Sequence, residues 1–328
     1  MLFKDAVETQ PRVPLRILEY EGGWFARITK PLPTERGSMP PEWTKMLLAT
    51  ALAYGADLIN FYMLHGGTNF GYWTGRFITT TYDYEAAIRE WGELGPRYYE
   101  IKLVSYAAPL LENTELVEES ITRGSDGRIG RVRIVRRRGD TRFTFLINNT
   151  QEPWSVGGIT VAPRDVKLLV DKLAVGSARI SSPTTSILGV HGGTVVFYGE
   201  PGEEFKIVVE GAEPLSCYAA EAGREDVRIV VRGRVPEEVC GCLFKARSGV
   251  LRILVVSKVF AKGTWFLEKY PVISNVYFVR DGDYSTLILE AKKGRQVLYL
   301  PFKAKSGEYL KELDMTRIEH HVESIEVP

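Results

Sequence analysis

Residues 15–25 read LRILEYEGGWF, and residues 58–75 read LINFYMLHGGTNFGYWTG. Each opens as a short apolar run of strand length and breaks at a pair of glycines, as a buried strand does where it enters a loop. The first run reaches a carboxylate, Glu19, before its glycines. Between the two, past a connection holding Pro31, Pro33, Pro40 and Pro41, the positions Trp43, Met46, Leu47, Thr50, Ala51 and Tyr54 recur at helical spacing. Proline in the first turn and Gly55 past the end supply a helix with its start and stop. The pattern predicts strand, helix, strand, with the second strand (58–63) buried on both faces because it does not alternate. A Gly- and Thr-rich loop (64–83) and a helix over about 98–111, after Gly95-Pro96, extend this to a βαβα module.

Near Glu112 the texture changes to short alternating runs between polar turns: RVRIVRR, TRFTFLINN, GGITVAP, VKLLVDK, GTVVFYG and EFKIVVEG. Strands of that length and spacing predict a β-sandwich. The texture resumes after Gly211 with VRIVVRG, GVLRILVVS and NVYFVRD, where Asp281-Gly282 signals a hairpin. The expected organisation is α/β plus all-β, with a βα module over 1–112, a β-sandwich-like domain over 113–211 and a second over 212–328.

The composition of the 328-residue chain narrows the function classes: 45% hydrophobic and 25% charged residues describe a folded globular chain, not a disordered or fibrous one. Forty-two Lys and Arg against forty-one Asp and Glu leave a formal charge of +1, so nothing in the balance points to nucleic acid or an anionic membrane. The seven arginines of RIGRVRIVRRRGDTR (128–142) alternate with apolar residues or crowd a turn, which places them on the wet side of a hairpin. Cys217, Cys240 and Cys242 are too few for a disulfide framework and lack histidine partners for zinc, which predicts reduced thiols, no metal and no cofactor. The first residues have no apolar core of signal-peptide length and no run spans a bilayer, so a cytoplasmic location is expected. Asn148-Asn149-Thr150 fits a glycosylation pattern that arises often by chance.

Chemistry is concentrated in the first hundred residues. In a parallel α/β barrel the loops after the strands line one mouth, and groups at the strands' C-terminal ends act on substrate. Glu19 would stand there, with Trp24, Tyr72, Trp73, Tyr82 and Tyr84 near it. A sugar needs hydrogen-bonding partners for its hydroxyls and an aromatic surface for its C–H face, which this set offers. His65, Thr68 and Asn69 read as residues that brace the loop.

These stretches resemble the end of the catalytic barrel of glycoside hydrolase family 35, the β-galactosidases. EYEGGWF (19–25) is similar to the family's nucleophile motif, and HGGTNFGYWTG (65–75) with TTTYDYEA (79–86) is similar to the two blocks that follow it. The resemblance covers about Pro11 to Ala107, with a looser one over 163–188. It implies the last two βα units of a (β/α)8 barrel, with Glu19 as nucleophile, Tyr72 and Tyr84 as sugar contacts, and Trp24 beside them. Retaining glycosidases use two carboxyl groups about 5–5.5 Å apart. The family's acid/base Glu belongs to an Asn-Glu block upstream of the nucleophile, and none precedes Glu19 here. The resemblance therefore implies a retaining exo-β-galactosidase acting on terminal β-galactosides, whose acid/base Glu and N-terminal barrel portion come from a second polypeptide. An exo-β-glucosaminidase is the alternative within the family, although the sequence reveals no acidic group placed for an amino sugar. A non-catalytic carbohydrate-binding remnant is the alternative outside it.

Overall fold

The computed structural model describes residues 9, 14–31, 40–75, 77–268, 271–281, 286–304 and 307–326. It is mostly β-strand, in several sheets, and divides into two compact units, 1–168 and 169–328. No helix among the described residues is long and apolar enough to cross a membrane.

The first unit opens with strand β1 (Leu15–Glu21), helix α1 (Pro41–Ala53) and strand β2 (Ala56–Tyr62). β1 and β2 pair in parallel, which requires a crossover, and α1 supplies it. Two short strands, β3 (Gly67–Thr68) and β4 (Thr81–Tyr82), pair across the glycine-rich loop. Helix α2 (Pro96–Ser105) starts, like α1, with proline in its first turn and packs against α1. A single 3-10 turn (Ala108–Leu111) replaces the last turn expected of α2.

The burial expected of 58–63 is not found. Among the described residues β1 and β2 form a sheet of two strands, and Leu18 is 72% and Leu58 43% exposed. An apolar strand is buried only when something covers both of its faces, and here one face is bare.

Strands β5 (Glu115–Arg123), β6 (Ile129–Arg138) and β7 (Thr141–Asn148) form an antiparallel meander. A small hairpin, β8 (Trp154–Val156) with β9 (Ile159–Val161), leads to β10 (Asp165–Asp171), and the sheet order is β10-β7-β6-β5. α1 lies against β6 and β7, and the join is polar as well as apolar. Lys45 of α1 is fully buried, in an ion pair with Asp165 and 4.0 Å from the buried Glu100 of α2. Arg136 is not on the wet side of its hairpin. Its guanidinium reaches Ala53 O at 3.2 Å and Thr114 Oγ1 at 2.7 Å, capping the carbonyl end of α1 where Gly55 (φ +85°) turns the chain. Arg133 stays at the surface, paired with Glu118 at 2.7 Å. Asn148 is buried, its amide donating to Glu152 O at 2.8 Å and Ala162 O at 3.0 Å, so that side chain is already engaged.

The second unit runs through β11 (Leu173–Val175), β12 (Ala178–Ser181), β13 (Ser186–His191), β14 (Thr194–Gly199) and β15 (Glu204–Glu210). It continues with β16 (Ala212–Tyr218), β17 (Glu221–Glu225), β18 (Arg228–Arg234), β19 (Val239–Ala246) and β20 (Gly249–Ser257). These ten make two five-stranded sheets, β11-β12-β15-β18-β17 and β13-β14-β20-β19-β16. Strands from both sides of Gly211 share each sheet: β15 pairs with β18, and β14 runs parallel to β20. Ile180, Ile207, Phe197, Phe244 and Ile253 are fully buried and carry the core. A short helix α3 (Lys258–Lys262) leads to β21 (Trp265–Phe266), β22 (Pro271–Ser274), β23 (Phe278–Asp281), β24 (Thr286–Ala304) and β25 (Gly307–Glu326). β23 and β24 pair antiparallel as Asp281-Gly282 suggested, although Gly282 itself lies outside the described residues.

The cysteines depart from the expectation of three reduced thiols. Cys217 and Cys242 are joined in a disulfide, because the β16–β19 register sets them directly opposite, with Cα atoms 4.1 Å apart. Their 25-residue separation hides this from a linear reading. Cys240 is free and buried, and burial pushes its thiol up to about 12, so it is inert at neutral pH.

Candidate active site

The C-terminal end of β1 is irregular at the residue that matters. Ile17 pairs with Ile59 and Tyr20 with Phe61, so Leu18 and Glu19 together stand opposite Asn60 alone. This is a β-bulge, which bends a strand and re-aims its side chains. The Asn60 side chain closes the gap by donating to Leu18 O at 3.0 Å. Tyr20, next along, turns inward and donates its hydroxyl to Thr44 O at 3.3 Å, while Glu19 and Glu21 on either side of it are exposed.

The two glycines that follow let another segment come close. A Cβ on Gly23 would lie 1.7 Å from Tyr84 O, and Trp24 N donates to that same oxygen at 3.1 Å. Tyr84 (φ +60°) is thereby held against β1 and is only 2% exposed. Around it the rings gather. Tyr62 meets Tyr84 edge-on at 5.4 Å, Tyr82 meets it at 5.7 Å, and Trp24 lies at 6.3 Å. Phe25 stacks on Trp24 at 4.7 Å, and the Tyr62 and Tyr82 hydroxyls share a hydrogen bond of 2.7 Å. Behind the cluster, Glu85 pairs with Arg97 at 3.1 Å, and Arg97 donates to Thr44 Oγ1 at 2.8 Å, tying the tyrosine segment to both helices. The loop is braced by Glu90, which accepts from the hydroxyls of Thr68 and Thr81, and by Asp83, paired with Arg89 at 2.6 Å.

The phenols feel the carboxylates. Burial, then the Tyr62 hydroxyl, then the charge of Glu19 push Tyr82 up to about 12. Tyr84 is raised further, first by burial, then by the negative charge of Glu21, with Tyr82, Tyr62 and Glu19 adding to it. Both remain protonated at neutral pH, Tyr82 under the charge of Glu19 and Tyr84 under those of Glu21 and Glu19. Among the described residues no three His, Cys, Asp or Glu side chains come together as a metal-binding group.

Of the residues singled out from the sequence, Trp24, Tyr82 and Tyr84 come together, and Tyr82 and Tyr84 feel the charge of Glu19. Tyr72 does not join them: it sits on an exposed turn beside Gly71 (φ +58°), fully accessible. Linear reading passes over Asn60 and Tyr62 and treats Glu21 as structural. Tyr62 ends the second strand as Glu19 nearly ends the first, and the register pairs it with Glu21, so position at a strand end was the available signal.

Residues 1–108 match the family glycosyl hydrolases family 35. The first third of the chain is thus similar to the glycosyl hydrolases of family 35. The chain is similar to a β-galactosidase-1-like protein of Mus musculus, 37% identical over 110 residues, which are 31% of this chain and 16% of that protein. It is 36% identical over 105 residues to a β-galactosidase of Felis catus, covering 30% of this chain and 15% of that one. To β-galactosidase 3 of Oryza sativa subsp. japonica it is 45% identical over 71 residues, 21% of this chain and 8% of the relative. The chain thus spans less than a fifth of the length of these relatives.

Proposed function

We propose that residues 1–112 are the nucleophile-bearing end of a (β/α)8 barrel in a retaining exo-β-galactosidase, and that the remaining barrel, carried on a partner polypeptide, completes the site. The observation that supports the reading is the bulge at Glu19 near the end of a parallel strand, close enough to the tyrosine cluster that its charge raises Tyr82 and Tyr84. Glu19 attacks the anomeric carbon, the bond to the leaving oxygen breaks, and a glutamic acid of the partner gives that oxygen its proton. The same group then takes a proton from water, which displaces the sugar from Glu19. Tyr82 and Tyr84 donate to sugar hydroxyls or to the Glu19 carboxylate, Trp24 supplies an apolar face, and Tyr72 joins once the mouth is complete.

The need for further barrel sequence to complete the site is supported by the bare face of the β1–β2 sheet. Leu18, Leu58 and Leu64, with Phe70 and Trp73 on the adjoining loop, are exposed, as strands of an interrupted barrel would be. A second reading, an exo-β-glucosaminidase, is favoured by Glu21, a second carboxylate beside Tyr84 that would attract an amino group.

The test is turnover of nitrophenyl β-galactoside and β-glucosaminide by the chain alone and mixed with a family 35 barrel portion that holds the Asn-Glu block. The chain alone should be inactive and the mixture active, with a 2-fluoro galactoside labelling Glu19 in the mixture. Full activity of the isolated chain overturns the partner requirement; label on Glu21 overturns the assignment of Glu19. Faster turnover of the glucosaminide selects the second reading.

A further inference from the structure

We propose that the second unit carries a separate binding groove for an acidic oligosaccharide, one bearing carboxylate or sulfate groups, centred on Lys245 and Arg247. A cavity of about 570 Å³ opens where the edge strands β16 and β17 of the two five-stranded sheets come together. Its floor is aliphatic: Ala212, Ile229 and Ala246 are buried, and Val227 stands exposed at one side. Its rim is cationic, with Arg224, Lys245 and Arg247 against one carboxylate, Glu213.

Glu213 does not neutralise the rim. It is directly opposite Lys245 in the β16–β19 register, but its carboxylate is taken by Arg224 at 2.6 Å. Neither Lys245 nor Arg247 has an ion-pair or hydrogen-bond partner among the described residues, so two cations face the groove uncompensated. The turn that carries Arg247 is fixed in place. Ser177 N donates to Ser248 Oγ at 2.9 Å and Ser248 N donates to Ser177 Oγ at 3.0 Å, which locks the β19–β20 turn to the β11–β12 turn. The Cys217–Cys242 disulfide holds the edge strand β16 on the other wall. The backbone that carries the two cations is thus held before binding, so only their side chains are left to order around an oxyanion.

The lining also limits what carries the oxyanion. It contains no aromatic ring on which a nucleic-acid base could stack. It contains no Asn, Gln or aromatic side chain of the sort that orients a neutral sugar. The volume exceeds that of a lone ion, and the aliphatic floor suits the C–H faces of pyranose rings. The choice of a saccharide as carrier rests on the glycosidase reading of the first unit; the oxyanion preference stands on the groove alone.

The experiment is calorimetric titration of the full chain at low salt with trigalacturonate, neutral galactotriose and inorganic sulfate. Trigalacturonate should bind, sulfate more weakly, and galactotriose not at all, with affinity falling as salt is raised. Lys245→Gln with Arg247→Gln should weaken trigalacturonate at least about tenfold, the loss expected for two charge-assisted contacts, without changing the melt. Glu19→Gln should bind as the unaltered chain does, which keeps this result independent of the catalytic reading. No binding of either anion, or equal binding by the double variant, overturns the groove. Sulfate bound as tightly as trigalacturonate, or galactotriose bound as well, overturns the acidic oligosaccharide.

Discussion

Asn60 Nδ2 donates to the carbonyl oxygen of Leu18 at 3.0 Å, across the bulge that sets the direction of Glu19. The bulge leaves one residue of β1 without its regular ladder partner, and the side chain of the neighbouring strand replaces it. Asn60→Ala and Asn60→Asp both remove the donor. Each should lower kcat/KM of the assembled enzyme by about 10- to 100-fold, the range produced by an ångström-scale misplacement of a reacting group, while the melt changes little. A melt that falls in step with the activity would make Asn60 a folding residue only.

Gly23 faces a stricter limit than a conformational one. Its added Cβ would meet a backbone oxygen, Tyr84 O, at 1.7 Å, and Trp24 N already holds that oxygen by a hydrogen bond of 3.1 Å. Gly23→Ala should destabilise the first unit by about 2–4 kcal/mol and abolish activity, with loss of the near-ultraviolet signal of the Trp24–Tyr84 cluster. Gly22 has open space where a Cβ would go and serves as the control, with Gly22→Ala expected to be mild.

The Lys45, Glu100 and Asp165 group is fully or nearly buried, and its removal should be asymmetric. Lys45→Met removes the buried cation that two carboxylates share and should cost about 3–5 kcal/mol, measured by denaturant unfolding. Lys45→Met combined with Glu100→Gln and Asp165→Asn leaves no buried charge and should recover much of that loss. Additive losses across the three changes would show that the group does not act as one unit.

High pH gives a check on the tyrosine cluster. Tyr82 titrates at about 12 in the folded chain, against 10.0 for an unhindered phenol. The folded state thus holds a proton that the unfolded state releases, and the stabilisation is complete below pH 10 and lost as pH rises toward 12. Stability should fall across that window, and the tyrosinate absorbance of the native chain should lag behind that of the denatured chain. Tyr82→Phe should reduce the slope of stability against pH in this range; an unchanged slope would place the shifted phenols elsewhere.

The linear sequence by itself determined the local pieces: a strand ending at Glu19, a helix from Pro41, a second strand to Tyr62, and the alternating strands after Glu112, all found at or near their expected positions. Each is governed by periodicity and by proline or glycine at its ends, which a short window contains. The tertiary structure decided everything that depends on partners distant in the chain. It decided that β2 has a bare face, that Arg136 is buried as a cap on α1, that Cys217 meets Cys242, and that strands on both sides of Gly211 share two sheets. It also decided the site: the Leu18–Glu19 bulge exists only as a mismatch in register with β2, and Tyr62 and Glu21 acquire a role only because that register sets them side by side against Tyr84. Register is a property of two strands together, fixed by hydrogen bonding and packing between them, and neither strand's own sequence contains it.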